Sequence, residues 1–240
     1  MPDGWALHYL PITGSTNEDA KRAAIEGCPD RTIIAADEQR AGRGRLNRRW
    51  IAPPGTSLLF SVVLHRSLQP VCLTALCSVS VAEAIYETTG LAARIKWPND
   101  VMLRDRKVCG LLTEVIPRGG RQVTIVGIGL NVNLDPAAVG LPPTATSLSN
   151  ELGRTIPRRD LLLEILRRID GYLALDDLIL APTIFARWED LLWRRQQEVQ
   201  VDGEGATVRG VVEGLAPSGA LRVRRLDCTR VEISVGELVS

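Results

Sequence analysis

Three short segments of the chain combine residue types that handle anions. The first, Arg40-Ala-Gly-Arg-Gly-Arg-Leu-Asn-Arg-Arg49, puts five arginines and two glycines into ten residues with no acid among them. Glycines let backbone N–H groups approach phosphate oxygens, and guanidinium groups supply fixed forks of donors that straddle a phosphate or a carboxylate. Read alone, the segment also fits a solvated basic loop or a nucleic-acid patch. The second runs Lys96-Trp97-Pro98-Asn99-Asp100 and continues to Lys107 and Gly110. Pro98-Asn99-Asp100 is good turn chemistry in its own right, so a plain connection between strands also accounts for it. Its chemical reading sets the Lys107 ammonium beside the Asp100 carboxylate, where a compact cation can neutralise a phosphate and an attacking carboxylate together. The third, Gly127-Ile-Gly-Leu-Asn131, ends in an amide that can offer one donor and one acceptor to a heterocycle edge. Its glycines would let a flat ring lie close to the backbone. A bulged strand end is the plainer reading, and the spacing falls short of a dinucleotide fingerprint.

The elements that must position these segments are legible from periodicity. Ser15-Thr16-Asn17-Glu18 has capping-box spacing and Gly27 can close the helix that follows. Residues 32–36 and 57–64 read as buried strands, and residues 71–89 carry Leu76, Val79, Ala82, Ile85 and Tyr86 on a helical period. Three further strands are expected over 93–97, 107–116 and 121–131, the last two joined by the turn Pro117-Arg-Gly-Gly120 as an antiparallel hairpin. Pro157 opens a helix with Leu161, Leu162, Ile165, Leu166, Ile169, Tyr172 and Leu173 on one face, and a shorter helix holds Phe185, Trp188, Leu191 and Leu192. From about residue 195 the apolar period changes to two, punctuated by Gly203, Gly205, Gly214 and Gly219, which marks a small all-β module.

Composition narrows the function classes. The 240 residues carry 29 Lys+Arg against 28 Asp+Glu, with 45% hydrophobic and 24% charged residues, the profile of an ordinary globular chain. Residues 194–240 hold seven arginines and seven acids, so charge does not make the C-terminal module a nucleic-acid binder. Five cysteines without a Cys-x-x-Cys pair argue against a disulfide framework and a structural zinc site. A multi-imidazole metal centre or a Ser-His-Asp triad would have to use His8 or His65. No apolar run approaches the roughly 18 residues of a membrane span. Met1-Pro-Asp-Gly-Trp5 lacks the basic start of a secretory signal, so a cytoplasmic protein with no membrane partner is expected.

Taken in order, Ser15-Thr16-Asn17, Gln39 with Gly42-Arg-Gly-Arg45 and Arg48 to Trp50, Lys96 to Asp100 with Lys107 and Gly110, and Gly127-x-Gly-x-Asn131 closely resemble the biotin protein ligase family. The similarity extends through Ala145-Thr-Ser-Leu148 to the C-terminal module, nearly the whole chain. It implies an α/β (α+β) fold: a mixed-sheet ligase domain with packed helices over residues 1–193, which binds biotin and ATP, and an SH3-like barrel over 194–240. It also implies two reactions, formation of biotinyl-5′-adenylate and pyrophosphate, then transfer of the biotinyl group to a lysine of a biotin carboxyl carrier protein. On the family pattern Ser15, Thr16, Asn17 and Gln39 meet the ring end of biotin, with Arg43, Gly44, Arg45, Lys107 and Gly110 along its tail. Arg45, Arg48, Trp50, Lys96, Asn99 and Asn131 surround the adenylate, and Lys107, Arg45 and Asp100 are the catalytic candidates.

Two glycines and like-charged arginines have little reason to pack without an anion, so the Arg-rich loop, residues about 41 to 50, is expected to be poorly ordered when empty. Magnesium is expected from the ATP chemistry through ligands the sequence does not identify, and a homodimer is one possible assembly. Asn47 stands where many members have glycine and tolerates left-handed angles; Ala52 stands where serine is common before Pro53. Three other roles compete. A biotin-responsive repressor needs a DNA-reading domain, and the fourteen residues before Ser15 are too few for one, so DNA is not expected. A lipoate-type ligase would lack the Gly-Arg-Gly-Arg loop. A non-catalytic biotin-binding module would have no use for both Lys107 and the arginine cluster.

Overall fold

A computed structural model describes residues 1–203 and 206–239, with the Arg121 side chain left aside; Gly205 lies outside the described residues. The chain runs β1 (Ala6–Thr13), α1 (Thr16–Glu26), β2 (Thr32–Gln39), β3 (Ser57–Leu64), α2 (Pro70–Thr89), β4 (Ala93–Lys96), β5 (Asp100–Leu103), β6 (Arg106–Arg118) and β7 (Arg121–Asn131). Next come α3 (Leu148–Leu152), α4 (Arg158–Leu173), α5 (Asp177–Asp190) and the strands β8 (Glu198–Gly203), β9 (Thr207–Leu215), β10 (Leu221–Arg225), β11 (Arg230–Ile233) and β12 (Gly236–Leu238). The first seven strands form one sheet in the order β1-β2-β3-β7-β6-β5-β4. Only β1 and β2 pair in parallel; the other neighbours are antiparallel.

The sheet is covered on both sides, which is why every residue of β3 is buried and its sequence reads as an apolar run. On one face Phe60, Val62 and Leu64 join α2, α4 and α5 in the main core. On the other, Val63, Ile125 and Ile34 meet Ala20 and Ala24 of α1. Gly119 and Gly120, both at positive φ, make the tight turn between β6 and β7, as the Gly-Gly pair predicts. Pro157 stands at the N-cap of α4, and Leu161, Ile165, Leu166, Ile169 and Leu173 form its buried stripe.

Four sequence expectations need correction. The strand β1 was not expected; it lies at the sheet edge with Leu7, Tyr9 and Ile12 exposed, so burial imposed no clean alternation. The four-residue strand β5 and the five-residue helix α3 were also missed, both too short to establish a period. The last helix starts at Asp177 rather than near Phe185, because its first turns expose Leu178 and Ile179. Finally, α2 is 20 residues long and apolar enough by composition to cross a membrane, an apolar stretch that its serines and threonines obscured. Its side chains from Cys72 to Ala82 are buried in the core.

The five C-terminal strands make one antiparallel sheet in the order β11-β10-β9-β8-β12, with no pairing that closes β11 onto β12 among the described residues. This sheet is packed against the first: Val199, Val201, Val212, Leu221 and Val223 belong to the same buried cluster as α2. The Trp97 indole donates to the Gly219 carbonyl at 3.1 Å, and Val71 and Phe185 crowd the same glycine. Leu76, fully buried on α2, tests this packing. Leu76→Ala should cost about 2–5 kcal/mol in urea unfolding through its transfer and cavity terms. Ile25→Ala, at a position 71% exposed, should change stability by less than about 0.5 kcal/mol.

Candidate active site

A cleft opens on the α1 side of the large sheet because alternate residues of β7 and β6 point there and several have no side chain. Gly127 and Gly129 face it with Asn131, and β6 contributes Gly110 and Leu112. Strand pairing sets these in rows, Ser61 beside Gly127 beside Leu112, and Leu59 beside Gly129 beside Gly110. The period-two spacing of Gly-x-Gly thus places both glycines on one face. Neither simply leaves room for a ligand: a Cβ on Gly127 would lie 2.0 Å from Asn17 Oδ1, and one on Gly129 would lie 2.5 Å from the Trp50 ring. The flat ring expected against this backbone is, in this structure, the indole of Trp50.

One end of the cleft is a neutral hydrogen-bonding cage. Ser15, Thr16 and Asn17, all buried, are brought in at the start of α1. The Thr16 N–H donates to Gln39 Oε1 at 2.8 Å, and the Thr16 hydroxyl donates to the same oxygen. Asn17 Nδ2 donates to the Glu114 carboxylate at 2.8 Å and to the Leu112 carbonyl, while Asn17 Oδ1 faces the Ser61 hydroxyl at 2.6 Å. The expected capping box does not form. Ser15 is the N-cap residue but its hydroxyl makes no cap bond, and Glu18 is drawn off to Lys21 and Arg43. Ser61 and Glu114 escaped the sequence reading. The signal for Ser61 was a lone polar residue inside an apolar strand, whereas Glu114 gave none beyond its place on an alternating strand.

The other end is cationic. The Arg-rich loop folds back on itself, with Gly44 N–H donating to the Arg48 carbonyl at 2.7 Å and Trp50 N–H to that of Gly42 at 2.9 Å. Leu46 and Asn47 take positive φ at its tip, so asparagine keeps the left-handed angle that glycine would supply. Its arginines are not idle: Arg43 pairs with Glu18, Arg45 donates to Asn99 Oδ1 at 3.0 Å and to the Gly236 carbonyl at 3.1 Å, and Arg48 grips Glu237 through two bonds. The C-terminal sheet therefore reaches the cleft through β12, a contribution its strand pattern did not announce. Arg48 holds the Glu237 carboxyl below its usual range.

Across a cis peptide between Trp97 and Pro98, Asn99 donates to the Leu111 carbonyl, and Lys107 pairs with Asp100 at 2.7 Å. Lys107 also lies 5.7 Å from the centre of the Trp50 ring. Lys96 lies over Trp193, and burial pushes its ammonium below the ordinary lysine range. Asn131 closes the floor, its Nδ2 donating to the Thr146 carbonyl at 3.0 Å while its Oδ1 is buried without a partner. All fifteen singled-out residues, from Ser15 to Asn131 along the chain, line this one cleft. No group of three His, Cys, Asp or Glu able to hold a metal occurs among the described residues.

A glycine-floored cleft on a mixed sheet, with a neutral cage at one end and an arginine loop at the other, suits a small molecule that is neutral at one end and anionic at the other. Residues 9–133 match the Biotin/lipoate A/B protein ligase family and residues 197–239 match the Biotin protein ligase C terminal domain. The chain belongs to that ligase family. It is similar to the Biotin--[acetyl-CoA-carboxylase] ligase of Paracoccus denitrificans, 34% identical over 228 residues that cover 90% of this chain and 92% of that protein. To the Bifunctional ligase/repressor BirA of Bacillus subtilis (strain 168) it is 36% identical over 169 residues, 68% of this chain and 52% of the relative, so the matched part spans about half that protein. The structure of the biotin protein ligase from Aquifex aeolicus in complex with biotin and ATP superposes with a TM-score of 0.83 at 30% identity, covering 98% of this chain and 97% of that one.

Two expectations follow from the geometry. Gly127→Ala should abolish ligand binding at the neutral end by driving Asn17 out of place, with a smaller effect on the melting temperature; calorimetric titration beside a thermal melt checks it. The Arg48–Glu237 pair stabilises the closed loop above the ordinary glutamate range and is lost as pH falls through the lowered Glu237 value. Protection of the Arg43–Arg49 amides, taken as exchange relative to the intrinsic rate at each pH, should therefore fall on acidification, and Glu237→Gln should remove most of that pH dependence.

Proposed function

We propose that the chain is a biotin protein ligase, which joins biotin to AMP and then passes the biotinyl group to a lysine of a biotin carboxyl carrier protein. The observation that carries this reading is the juxtaposition in one cleft of the neutral cage and the Lys107, Arg45 and Arg48 cluster. The ureido ring of biotin is a neutral heterocycle with donors and acceptors on its rim, which suits Ser15, Thr16, Asn17 and Gln39. Its chain and carboxylate then run past Arg43, Gly44 and Gly110 toward Lys107.

In the first step a biotin carboxylate oxygen attacks the α-phosphorus of ATP, the bond to the β-phosphate oxygen breaks, and pyrophosphate leaves. Two anions must meet, so Lys107 and Arg45 offset their repulsion and the charge that builds on the phosphoryl oxygens. Arg48 would exchange Glu237 for phosphate, and Lys96 and Asn99 lie where the nucleotide would continue. Trp50 supplies a face for stacking, and Asn131 an acceptor for the base. Asp100 and Glu237, the carboxylates of the cleft, would face a magnesium ion accompanying the nucleotide, which would offset phosphate charge there. In the second step the amine of the carrier lysine attacks the carbonyl carbon of the mixed anhydride, AMP leaves, and the amine loses a proton. Asp100 is placed to orient that amine or take its proton. The loop over the cleft keeps water from the anhydride between the steps.

This reading makes residues 1–193 the catalytic domain and 194–240 a module that adjusts the nucleotide end through β12. A lipoate-type ligase is the alternative in the same family, and substrate choice separates the two. Incubation with biotin and ATP should release pyrophosphate and leave bound biotinyl-adenylate detectable by mass spectrometry; adenylate with lipoate and none with biotin would overturn the proposal. Lys107→Ala should lower adenylate formation by about 10² to 10³ in single turnover. Lys107→Arg should also be poor, because a planar fork does not replace a compact ammonium. Lys107 is paired with Asp100 rather than free, so its removal strands a half-buried carboxylate. A small loss of melting temperature is therefore expected beside the kinetic one, and near-normal adenylation would return the residue to a structural role.

A further inference from the structure

The Ala145-Thr-Ser-Leu148 segment has no part in the chemistry above, yet both walls of the nucleotide end hang on it. Thr146 is fully buried. Its N–H donates to the Lys107 carbonyl at 2.8 Å, and the Lys107 N–H donates to the Thr144 carbonyl at 2.7 Å, a short parallel bridge that fixes the Lys107 backbone. The Thr146 carbonyl accepts from Asn131 Nδ2 at 3.0 Å. A carbonyl can only accept, so this bond also decides which way the Asn131 amide is turned: nitrogen toward Thr146, oxygen toward the cleft. That oxygen is buried and has no partner, and the cross-strand Ser57 hydroxyl does not bond to it. Such a group costs free energy until a donor arrives.

The Thr146 hydroxyl donates to Glu151 Oε1 at 2.6 Å. The Glu151 side chain is only 2% exposed and is held in turn by Arg106 at 2.5 Å and Arg104 at 3.7 Å. Asn150 Nδ2 donates to the same hydroxyl at 3.3 Å. The carboxylate thus anchors a residue whose two backbone groups reach Lys107 on one side and Asn131 on the other.

We propose that Thr146 and Glu151 are positioning residues that hold the Asn131 amide with its oxygen facing the nucleobase, and so make the site select a 6-amino purine. A 6-amino group donates to Asn131 Oδ1. A 6-oxo purine sets acceptor against acceptor, and a purine with hydrogen at C6 leaves the oxygen unpaired. This rests on the reading of the cleft as the nucleotide site of a biotin ligase.

The test uses the full chain at saturating biotin, with pyrophosphate release from ATP, from purine riboside triphosphate and from inosine triphosphate. The wild type should prefer ATP over both analogues by about 10² in kcat/KM, as a site built around one buried acceptor discriminates. Thr146→Val removes the hydroxyl with little change of shape. It should raise KM for ATP and shrink the preference for ATP over purine riboside triphosphate by about tenfold, while Thr146→Ser keeps both near wild type. Glu151→Gln should move the preference in the same direction and add little on top of Thr146→Val, because it acts through that hydroxyl. Biotin affinity, measured without nucleotide, should hold in all of them. A base preference unchanged in Thr146→Val and Glu151→Gln would overturn the proposal, whether or not stability falls, and so would a wild type that accepts the 6-oxo base equally. A wild type that makes no biotinyl-adenylate at all would instead remove the reading of the cleft itself.

Discussion

Missing side chains on one face of the sheet are what the rest of the structure depends on. Gly110, Gly127 and Gly129 stand on adjacent rows of β6 and β7, and each is approached by another side chain closer than a Cβ would allow in comfort. Where ordinary residues would fill the face with apolar volume, the amide of Asn17 and the indole of Trp50 descend onto backbone instead. The opposite face of the same strands shows the contrast. Val126, Ile128 and Leu130 alternate with the glycines and pack into the main core, so the sheet stays rigid while its other surface stays open.

Rigidity on one side and adaptability on the other divides the cleft by chemistry. Its neutral end is built from groups that satisfy one another through short, partly buried bonds, Thr16 to Gln39 and Asn17 to Glu114, and so is held in shape by its own partners. Its cationic end is made of exposed pairs, such as Arg48 with its side chain 63% exposed, whose net strength in water is small. A phosphate that offers charge and bidentate geometry can replace such partners at little cost. The carboxylates of Glu18 and Glu237 offset the like charges of Arg43 and Arg48 and hold that cluster together.

The small C-terminal sheet belongs to this arrangement rather than standing beside it. The Trp97 indole bonds to the Gly219 carbonyl, and the turn that follows carries Asn99 and Asp100 into the cleft. Strand β12 returns to the arginine loop through Gly236 and Glu237. Any movement of the module is thus felt at the cationic end of the cleft through contacts with both the turn and the loop.

Periodicity and residue chemistry were enough to show the helix after Ser15, the buried strands, the β6–β7 hairpin, the apolar face of α4 and the change to a β pattern near residue 195. These are local or repeated signals, and each recurs over enough residues to stand out. The same reading assembled the cationic and amide residues of the cleft, because their types are rare in apolar surroundings and their order matched a known pattern. What only the tertiary structure decided were the partners. Ser15 lost its capping box when Glu18 found Arg43, Arg48 gained Glu237 from some 189 residues away, and Thr146 became the link between Lys107 and Asn131. Each of these depends on which strands lie side by side, and on whether a buried acceptor has any other donor within reach. A linear chain carries the list of groups that must be satisfied; only the packed molecule determines which of them meet.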